Sequence, residues 1–210
     1  MKNLFPRNKR LYIITDRAVS GLSHAEAAIR TLKAGARVIQ LREKKLTKKE
    51  ICKEALKIRK LARRYRALFI INDHVDIALA VWADGVHLGQ DDMPIHEARK
   101  ILGRRGIIGI STHSLKQAVE AQRLGADYIG FGPVFLTATK NAGASKGVRA
   151  LQTVTERVSI PVVAIGGIAI ENVPDILRAG ADAAAVSSAI LSGDISPETK
   201  NFLKAINRRP

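Results

Sequence analysis

The stretch LFIINDHVDIALAVWADGVHLGQDD, residues 68–92, contains two short apolar runs that both end at polar and acidic residues. Asn72 and Asp73 follow the run LFII, and Asp91 and Asp92 come just after the run GVHLG. Each run has the length of a β-strand and is almost continuously apolar, which is typical of parallel strands buried on both faces. The stretch therefore predicts two buried strands with carboxylates at their ends.

Similar apolar runs recur along the chain and alternate with segments of helical spacing. This alternation predicts parallel strands joined by right-handed crossovers. Several polar residues and one proline mark predicted helix starts, namely Ser23, Thr47, Pro94, Ser114 and Glu171. The six further runs are RLYIIT (10–15), RVIQL (37–41), IIGIS (107–111), DYIGFG (127–132), VVAIGG (162–167) and AAAVSS (183–188), and helical spacing is found in 24–35, 47–65, 113–125 and 170–180.

A shorter repeat marks the joints between helices and the strands that follow them. Its four copies are AGAR (34–37), WADG (82–85), LGAD (124–127) and AGAD (179–182). They precede every second apolar run, so the chain resembles four copies of a β-α-β-α unit. We therefore predict an α/β fold, a single (β/α)₈ TIM barrel formed by one domain over residues 1–210. An open doubly wound sheet is the alternative, although no GxGxxG follows the first strand.

Composition limits the classes of function. The chain has 210 residues, a formal net charge of +16, and only 4% aromatic residues. The basic residues alternate with apolar ones at helical spacing, and the low aromatic content argues against base stacking, so no nucleic-acid partner is expected. No apolar run is long enough to span a membrane, and no signal peptide is evident, so a cytoplasmic protein without a membrane partner is expected.

Charged side chains gather at the predicted carboxyl ends of the strands, where barrels carry their active sites. Asp73 and Asp92 follow neighbouring strands, and two carboxylates at one pocket mouth suit Mg²⁺. Arg42, Lys44 and Lys140 follow the second and sixth strands and are expected at the same mouth, where they suit a diphosphate. The alternative is that the aspartates only cap the helices that follow.

A second anion site is predicted after the seventh and eighth strands. Loops at these places often hold a phosphate in barrels. Gly167 permits close approach of the backbone, and Ser187 and Ser188 offer amide and hydroxyl groups. By itself a pair of glycines after a strand is a weak signal, because tight turns need it as well.

Of the five histidines, only His113 has a plausible catalytic position, just after the fifth strand. His24, His74 and His96 lie at predicted helix starts and are expected to be surface or capping residues. His87 lies inside the fourth strand and points either into the barrel or against a helix. No histidine pair has the spacing of a zinc site, so zinc chemistry is not expected.

Together these segments resemble the thiamine phosphate synthase (thiamine-phosphate pyrophosphorylase) family over nearly the whole chain. The matching segments are YIITD, QLREK, INDHVDIALA, WADGVHLGQDD, GISTHS, GADYIGFGPVF, TATK, PVVAIGGI and GADAAAVSSAI. The resemblance implies a barrel, as a homodimer, that is a transferase acting on two small molecules. It would join a hydroxymethylpyrimidine diphosphate to a thiazole phosphate and release thiamine phosphate and pyrophosphate.

The resemblance also implies a role for each matching residue. Arg42, Lys44 and Lys140 would be catalytic by stabilising the leaving diphosphate, which departs before the thiazole nitrogen attacks. Asp73 and Asp92 would bind the Mg²⁺ cofactor. The pyrimidine diphosphate would be held by Gln40, Leu41, Arg42, Glu43, Lys44, Asn72, Ser111 and Lys140, and the thiazole phosphate by Thr137, Ala138, Thr139, Gly167, Ser187 and Ser188.

Two other functions remain open at this point. Thiazole tautomerases have the same barrel and phosphate site, and they carry a histidine at the position of His113. This chain, however, retains the complete QLREK and TATK segments and both aspartates that the synthases use. A non-catalytic barrel that binds a phosphorylated ligand or nucleic acid is the third possibility.

Overall fold

Eight parallel strands close into a barrel in the order β1 to β8, each paired with its neighbours in sequence and β8 with β1. A computed structural model describes residues 4–137 and 144–207. The predicted (β/α)₈ TIM barrel is confirmed, and the open doubly wound alternative is wrong because the sheet has no edges. The strands are β1 (Leu11–Thr15), β2 (Val38–Leu41), β3 (Leu68–Asn72), β4 (Gly85–Leu88), β5 (Ile107–Thr112), β6 (Tyr128–Phe131), β7 (Val162–Ile165) and β8 (Ala183–Val186).

Helices surround the strands, and their polar caps explain several of the boundaries. The side chains of Ser23 and Thr47 each accept a hydrogen bond from the backbone N–H of a glutamate three residues later. The side chain of that glutamate accepts a second hydrogen bond from the backbone N–H of the capping residue. Ser114 makes only the first kind of bond, through its own side chain. The helices are α1 (Arg17–Ser20), α2 (His24–Ala34), α3 (Lys48–Tyr65), α4 (Val75–Ala80), α5 (Ile95–Leu102), α6 (Leu115–Arg123), α7 (Gly147–Arg157), α8 (Val173–Arg178), α9 (Ser188–Leu191) and α10 (Ile195–Asn207), and a short 3₁₀ helix covers Arg7–Lys9.

The repeated joints tie neighbouring strands together at the amino ends of the barrel. In three of the four copies, an aspartate carboxylate accepts a 2.8 Å hydrogen bond from a backbone N–H of the preceding strand. These pairs are Asp84 with Phe69, Asp127 with Ile108, and Asp182 with Val162. The first copy has Arg37 instead, which donates to the carbonyl oxygens of Leu32 and Ala36.

Alternate residues of each strand point inwards or outwards. The outward set packs against the helices in the larger core, and the inward set fills the barrel. Phe5 closes the amino end of the barrel, with its ring 5.4 Å from that of Tyr128 and 6.2 Å from that of Tyr12. Among the described residues, Phe5 and its neighbours thus fill the amino half of the barrel.

Within the described residues, no helix is long and apolar enough to cross a membrane.

Candidate active site

A cavity of about 120 Å³ lies inside the barrel toward the carboxyl ends of the strands. It is smaller than the several hundred Å³ usual for larger ligands, so it has room for one small ring. Four of the predicted pyrimidine diphosphate residues line it together: Gln40, Arg42, Asn72 and Ser111. The remaining lining residues are Tyr12, Ile14, His87, Tyr128, Gly130, Val163, Ile165 and Ala185.

A chain of hydrogen bonds forms the polar part of this cavity. Gln40 Nε2 donates to Tyr12 Oη over 2.9 Å, and the two tyrosine hydroxyls lie 2.8 Å apart. Tyr128 Oη lies 2.9 Å from His87 Nδ1, and His87 Nε2 lies 2.9 Å from Ser111 Oγ. The sequence pattern did not identify Tyr12, Tyr128 or His87 as site residues, because strands buried on both faces do not show which face points inwards.

The side chains joined by these hydrogen bonds are neutral. Burial lowers the pKa of His87 to about 4, although the charge of Asp92 opposes this shift. Burial also raises the pKa of both Tyr12 and Tyr128. A neutral imidazole has one donor and one acceptor nitrogen, which matches its two hydroxyl partners. The cavity therefore offers neutral donors and acceptors, which suit a polar heteroaromatic ring.

Two carboxylates meet at the mouth of the cavity. Asp73 has a positive φ of 62°, which aspartate tolerates, and its N–H donates to His87 O over 2.9 Å. Asp92 Oδ2 accepts a 2.6 Å hydrogen bond from Gly89 N–H. Burial raises the pKa of Asp92, and the neighbouring Asp73 carboxylate raises it further, by hydrogen bonding and by like charge. Two neighbouring carboxylates repel each other when both are charged, so Asp92 holds its proton more tightly than an isolated carboxyl group.

Two cations reach the same mouth from the loop after β2. Lys44 Nζ lies 2.5 Å from Asp73 Oδ2, and Arg42 Nη1 lies 3.2 Å from Asp16 Oδ2. The Lys44 side chain is 56% exposed and that of Arg42 is 35% exposed. Each cation can therefore exchange its carboxylate partner for a bound anion. The third predicted cation, Lys140, lies outside the described residues.

Two other predicted diphosphate residues do not turn their side chains to the cavity. Leu41 is fully buried among the apolar residues between the barrel and the helices. The carboxylate of Glu43 faces His24 and the backbone of its own loop. Contact between these two residues and a ligand is therefore restricted to their backbone atoms.

The predicted phosphate loop lies at the ends of β7 and β8. Ile165 of β7 pairs with Ala185 of the adjacent strand β8. Gly167 lies two residues after Ile165, and Ser187 lies two residues after Ala185. Gly167 has a positive φ of 62°, and a Cβ there would lie 2.3 Å from Leu136 O. Asn172 holds the turn, because its Nδ2 donates to Gly167 O and its Oδ1 accepts from the N–H of Ala169.

The other predicted phosphate residues are only partly described. Ser188 is the exposed first residue of α9, and Thr137 is partly buried at the end of the described segment after β6. Ala138 and Thr139 lie outside the described residues.

The histidines occupy different environments. His113 is exposed, and its Nδ1 donates a hydrogen bond to Gly132 O over 2.7 Å. His87 points into the barrel, one of the two orientations that we expected. The prediction that His24 is a surface or capping residue is wrong. Its side chain is only 1% exposed, because it bonds Thr15 and Glu43 beneath α2.

Comparison with known proteins gives consistent matches over most of the chain. A family model described as thiamine monophosphate synthase matches residues 11–190. The thiamine-phosphate synthase of Chloroflexus aurantiacus is 46% identical over 199 residues, 94% of this chain and 92% of that protein. The thiamine-phosphate synthase of Methanospirillum hungatei is 48% identical over 195 residues, 91% of this chain and 95% of that protein.

A solved structure agrees with these sequence matches. It is that of thiamine phosphate pyrophosphorylase from Pyrococcus furiosus, which matches with a TM-score of 0.88 at 41% sequence identity. The match covers 95% of this chain and 96% of that one.

Proposed function

The chain belongs to the thiamine monophosphate synthase family, and we propose that it joins a hydroxymethylpyrimidine diphosphate to a thiazole phosphate, releasing thiamine phosphate and pyrophosphate. The observation that carries this proposal is the arrangement of the cavity. Arg42 and Asn72 line a neutral pocket for one small ring. Close to them in the chain, Lys44 pairs with Asp73, whose carboxylate interacts with that of Asp92. A ring that bears a diphosphate has the same division into a neutral part and an anionic part.

The pyrimidine ring is assigned to the cavity between Gln40 and Ser111. The side-chain amide of Gln40 and the hydroxyl of Ser111 are already part of a hydrogen-bonded chain, which limits their movement. A fixed arrangement of donors and acceptors selects a ring with complementary edges and reduces the entropy lost on binding. Asn72, at the end of β3, lies between this cavity and the mouth.

Mg²⁺ is assigned to Asp73 and Asp92. Within residues 4–137 and 144–207, no three His, Cys, Asp or Glu side chains come together as a metal site. Two carboxylates nevertheless fit this ion, which commonly takes one or two of them and completes its shell with waters and substrate phosphates. When bound, the ion would neutralise charge on the diphosphate.

Arg42 and Lys44 are assigned to the diphosphate, together with Lys140 from the loop after β6. In the proposed reaction the bond between the pyrimidine methylene carbon and the diphosphate oxygen breaks, and both electrons leave with the diphosphate. The lone pair of the thiazole nitrogen then forms the new bond to that carbon. Cationic side chains stabilise the charge that accumulates on the leaving group, so no nucleophilic side chain is required.

The thiazole phosphate is assigned to the loops after β7 and β8, around Gly167, Ser187 and Ser188, with Thr137, Ala138 and Thr139 from the loop after β6. Gly167 has no side chain, which permits the close approach of Leu136 O, so the loops after β6 and β7 meet at the proposed phosphate site. This position is adjacent to the cavity wall formed by Ile165 and Ala185, so the two substrates would approach each other across the end of the barrel.

A direct test mixes purified protein with both substrates and Mg²⁺ and follows pyrophosphate and thiamine phosphate by coupled assay and mass spectrometry. Equal amounts of both products are expected, with neither formed when one substrate is omitted. Absence of both products would contradict the proposal. Isomerisation of a thiazole carboxylate phosphate without any condensation would instead support the tautomerase, which the names of the relatives do not favour.

We also propose a homodimer, as the family resemblance implies, and a cytoplasmic location, as expected from the N-terminal sequence. Light scattering coupled to size-exclusion chromatography tests the dimer, and a monomer mass at micromolar concentration would contradict it.

A further inference from the structure

A buried polar cluster lies beneath α2, beside the loop that carries the two cations. His24 Nδ1 lies 2.8 Å from Thr15 Oγ1, and His24 Nε2 lies 3.0 Å from Glu43 Oε2. Thr15 Oγ1 also donates to Gln40 O over 3.2 Å. The side chains of His24 and Glu43 are only 1% and 8% exposed, so this cluster is separated from solvent.

The direction of one hydrogen bond in the cluster follows from the chemistry of its groups. A carboxylate only accepts hydrogen bonds, so His24 Nε2 donates to Glu43 Oε2. His24 and Glu43 therefore form a buried hydrogen-bonded pair, and the Thr15 hydroxyl contacts the other ring nitrogen.

The second oxygen of Glu43 fixes the backbone of the loop. Glu43 Oε1 accepts hydrogen bonds of 2.7 Å from the N–H groups of Lys44 and Lys45. Burial alone would raise the pKa of Glu43, but the bonds from Lys45 N–H, His24 and Lys44 N–H together lower it. The carboxylate thus connects α2 to the loop through three donors.

The side chains on either side of Glu43 face the proposed site. Arg42 lines the cavity, and Lys44 reaches Asp73 at its mouth. We propose that His24 and Glu43 are positioning residues, whose buried hydrogen bond holds the backbone between Arg42 and Lys44 so that both cations face the diphosphate. This inference rests on the proposed function, and it replaces direct binding of the substrate by the Glu43 side chain with an indirect role.

The test compares His24→Gln and Glu43→Leu with the wild type by calorimetry with pyrophosphate and Mg²⁺, and by steady-state kinetics. Misplacement of the two cations should weaken pyrophosphate binding and raise the KM for the pyrimidine diphosphate by roughly tenfold to a hundredfold. The KM for the thiazole phosphate should stay unchanged, because its site lies after β7 and β8. Glu43→Gln should lose less than Glu43→Leu, since its carbonyl oxygen still accepts from the two amides.

His96→Gln is the matched control. His96 Nε2 lies 3.0 Å from Glu97 Oε1, the same distance as between His24 and Glu43. The side chains of His96 and Glu97 are 65% and 45% exposed, and they do not contact the loop that carries Arg42 and Lys44. This variant should bind pyrophosphate like the wild type.

Three outcomes would count against the inference. If the wild type makes product and both His24→Gln and Glu43→Leu bind pyrophosphate with the affinity of the wild type, the positioning role is overturned. Equal losses for both substrates would indicate a general structural role and would overturn it too. A wild type that neither binds pyrophosphate nor makes product would overturn the proposed function, and this inference with it. If Glu43→Leu does not fold, His24→Gln and Glu43→Gln decide the question.

Discussion

Lys44 Nζ lies 2.5 Å from Asp73 Oδ2, so the loops after β2 and β3 meet at the mouth of the barrel. The contact joins a cation proposed for the diphosphate to a carboxylate proposed for Mg²⁺. In the proposed reaction, Lys44 and Asp73 would each exchange this contact for a new partner when substrate and Mg²⁺ bind, and either exchange would favour the other. Lys44 released from Asp73 is free for the diphosphate, and Asp73 released from Lys44 is free for the metal.

Asp92→Asn should raise the Mg²⁺ concentration that is needed for activity without affecting the fold. Asparagine still accepts the hydrogen bond from Gly89 N–H, but it removes one of the two proposed carboxylate ligands. Loss of a residue that only supports a metal ligand typically costs roughly 10–100-fold in metal affinity, and loss of a direct ligand should cost at least as much. A Mg²⁺ titration of pyrophosphate release should show this shift, with thermal unfolding as the control for folding. An unchanged Mg²⁺ titration would rule out Asp92 as a ligand.

Acid should destabilise the protein partly through His87. The pKa of His87 is about 4 in the folded protein, below the ordinary 6.5, so the unfolded chain binds more protons between these values. Stability is therefore retained above pH 6.5 and is lost as the pH falls toward 4. For a fully buried group this loss is on the order of 3 kcal/mol.

Urea unfolding of the wild type and His87→Gln at pH 7.5 and pH 4.5 isolates this contribution. The lowered pKa values of acidic groups such as Glu54 and Asp76 also act at low pH, but they are common to both proteins. The variant should lose less free energy of unfolding between the two pH values. Equal losses would show that His87 is not buried in its neutral form.

Gly109→Ala should destabilise the barrel from inside. A Cβ at this position would lie 2.0 Å from the ring of Tyr128, which is itself fully buried. Overpacking of this kind costs roughly 1–3 kcal/mol or more. Gly193→Ala is the control, because its Cβ would meet only Glu198 Cγ at 3.8 Å. Chemical denaturation should separate the two variants, and equal stability would indicate that Tyr128 can move aside.

The sequence predicted the strands and the positions at their ends because both depend on chain order. Apolar runs and repeated joints predict eight parallel strands, and parallel strands must place Asp73 and Asp92 at the same end of the barrel. The hydrogen bonds of the joints were not predicted from the sequence. Asp84, Asp127 and Asp182 each accept one from a backbone N–H of the preceding strand.

Side-chain direction was much less predictable. Strands that are apolar on both faces do not distinguish inward from outward residues, so the sequence does not predict the hydrogen bonds that join Tyr12, Tyr128 and His87. The burial of His24 and Glu43 also could not be predicted. It depends on the approach of α2 to the loop after β2, which the local pattern does not specify.

The central claim is that the cations at the mouth, rather than a proton-transferring histidine, perform the chemistry. Arg42→Gln and His113→Ala separate these possibilities, with Lys48→Gln as a control for loss of a positive charge. Lys48 pairs with Asp76 on the surface, where both side chains are more than half exposed. Removing one exposed pair of this kind changes little.

The decisive measurement is kcat/KM for pyrophosphate release by these three variants with both substrates and Mg²⁺. Arg42→Gln should lose about 3 kcal/mol of transition-state stabilisation, or roughly a hundredfold in rate. His113→Ala should lose much less, because its imidazole is exposed and bonded to Gly132 O, and Lys48→Gln should resemble the wild type. A severe loss in His113→Ala together with near-normal activity in Arg42→Gln would contradict the assignment of the cations as the catalytic groups.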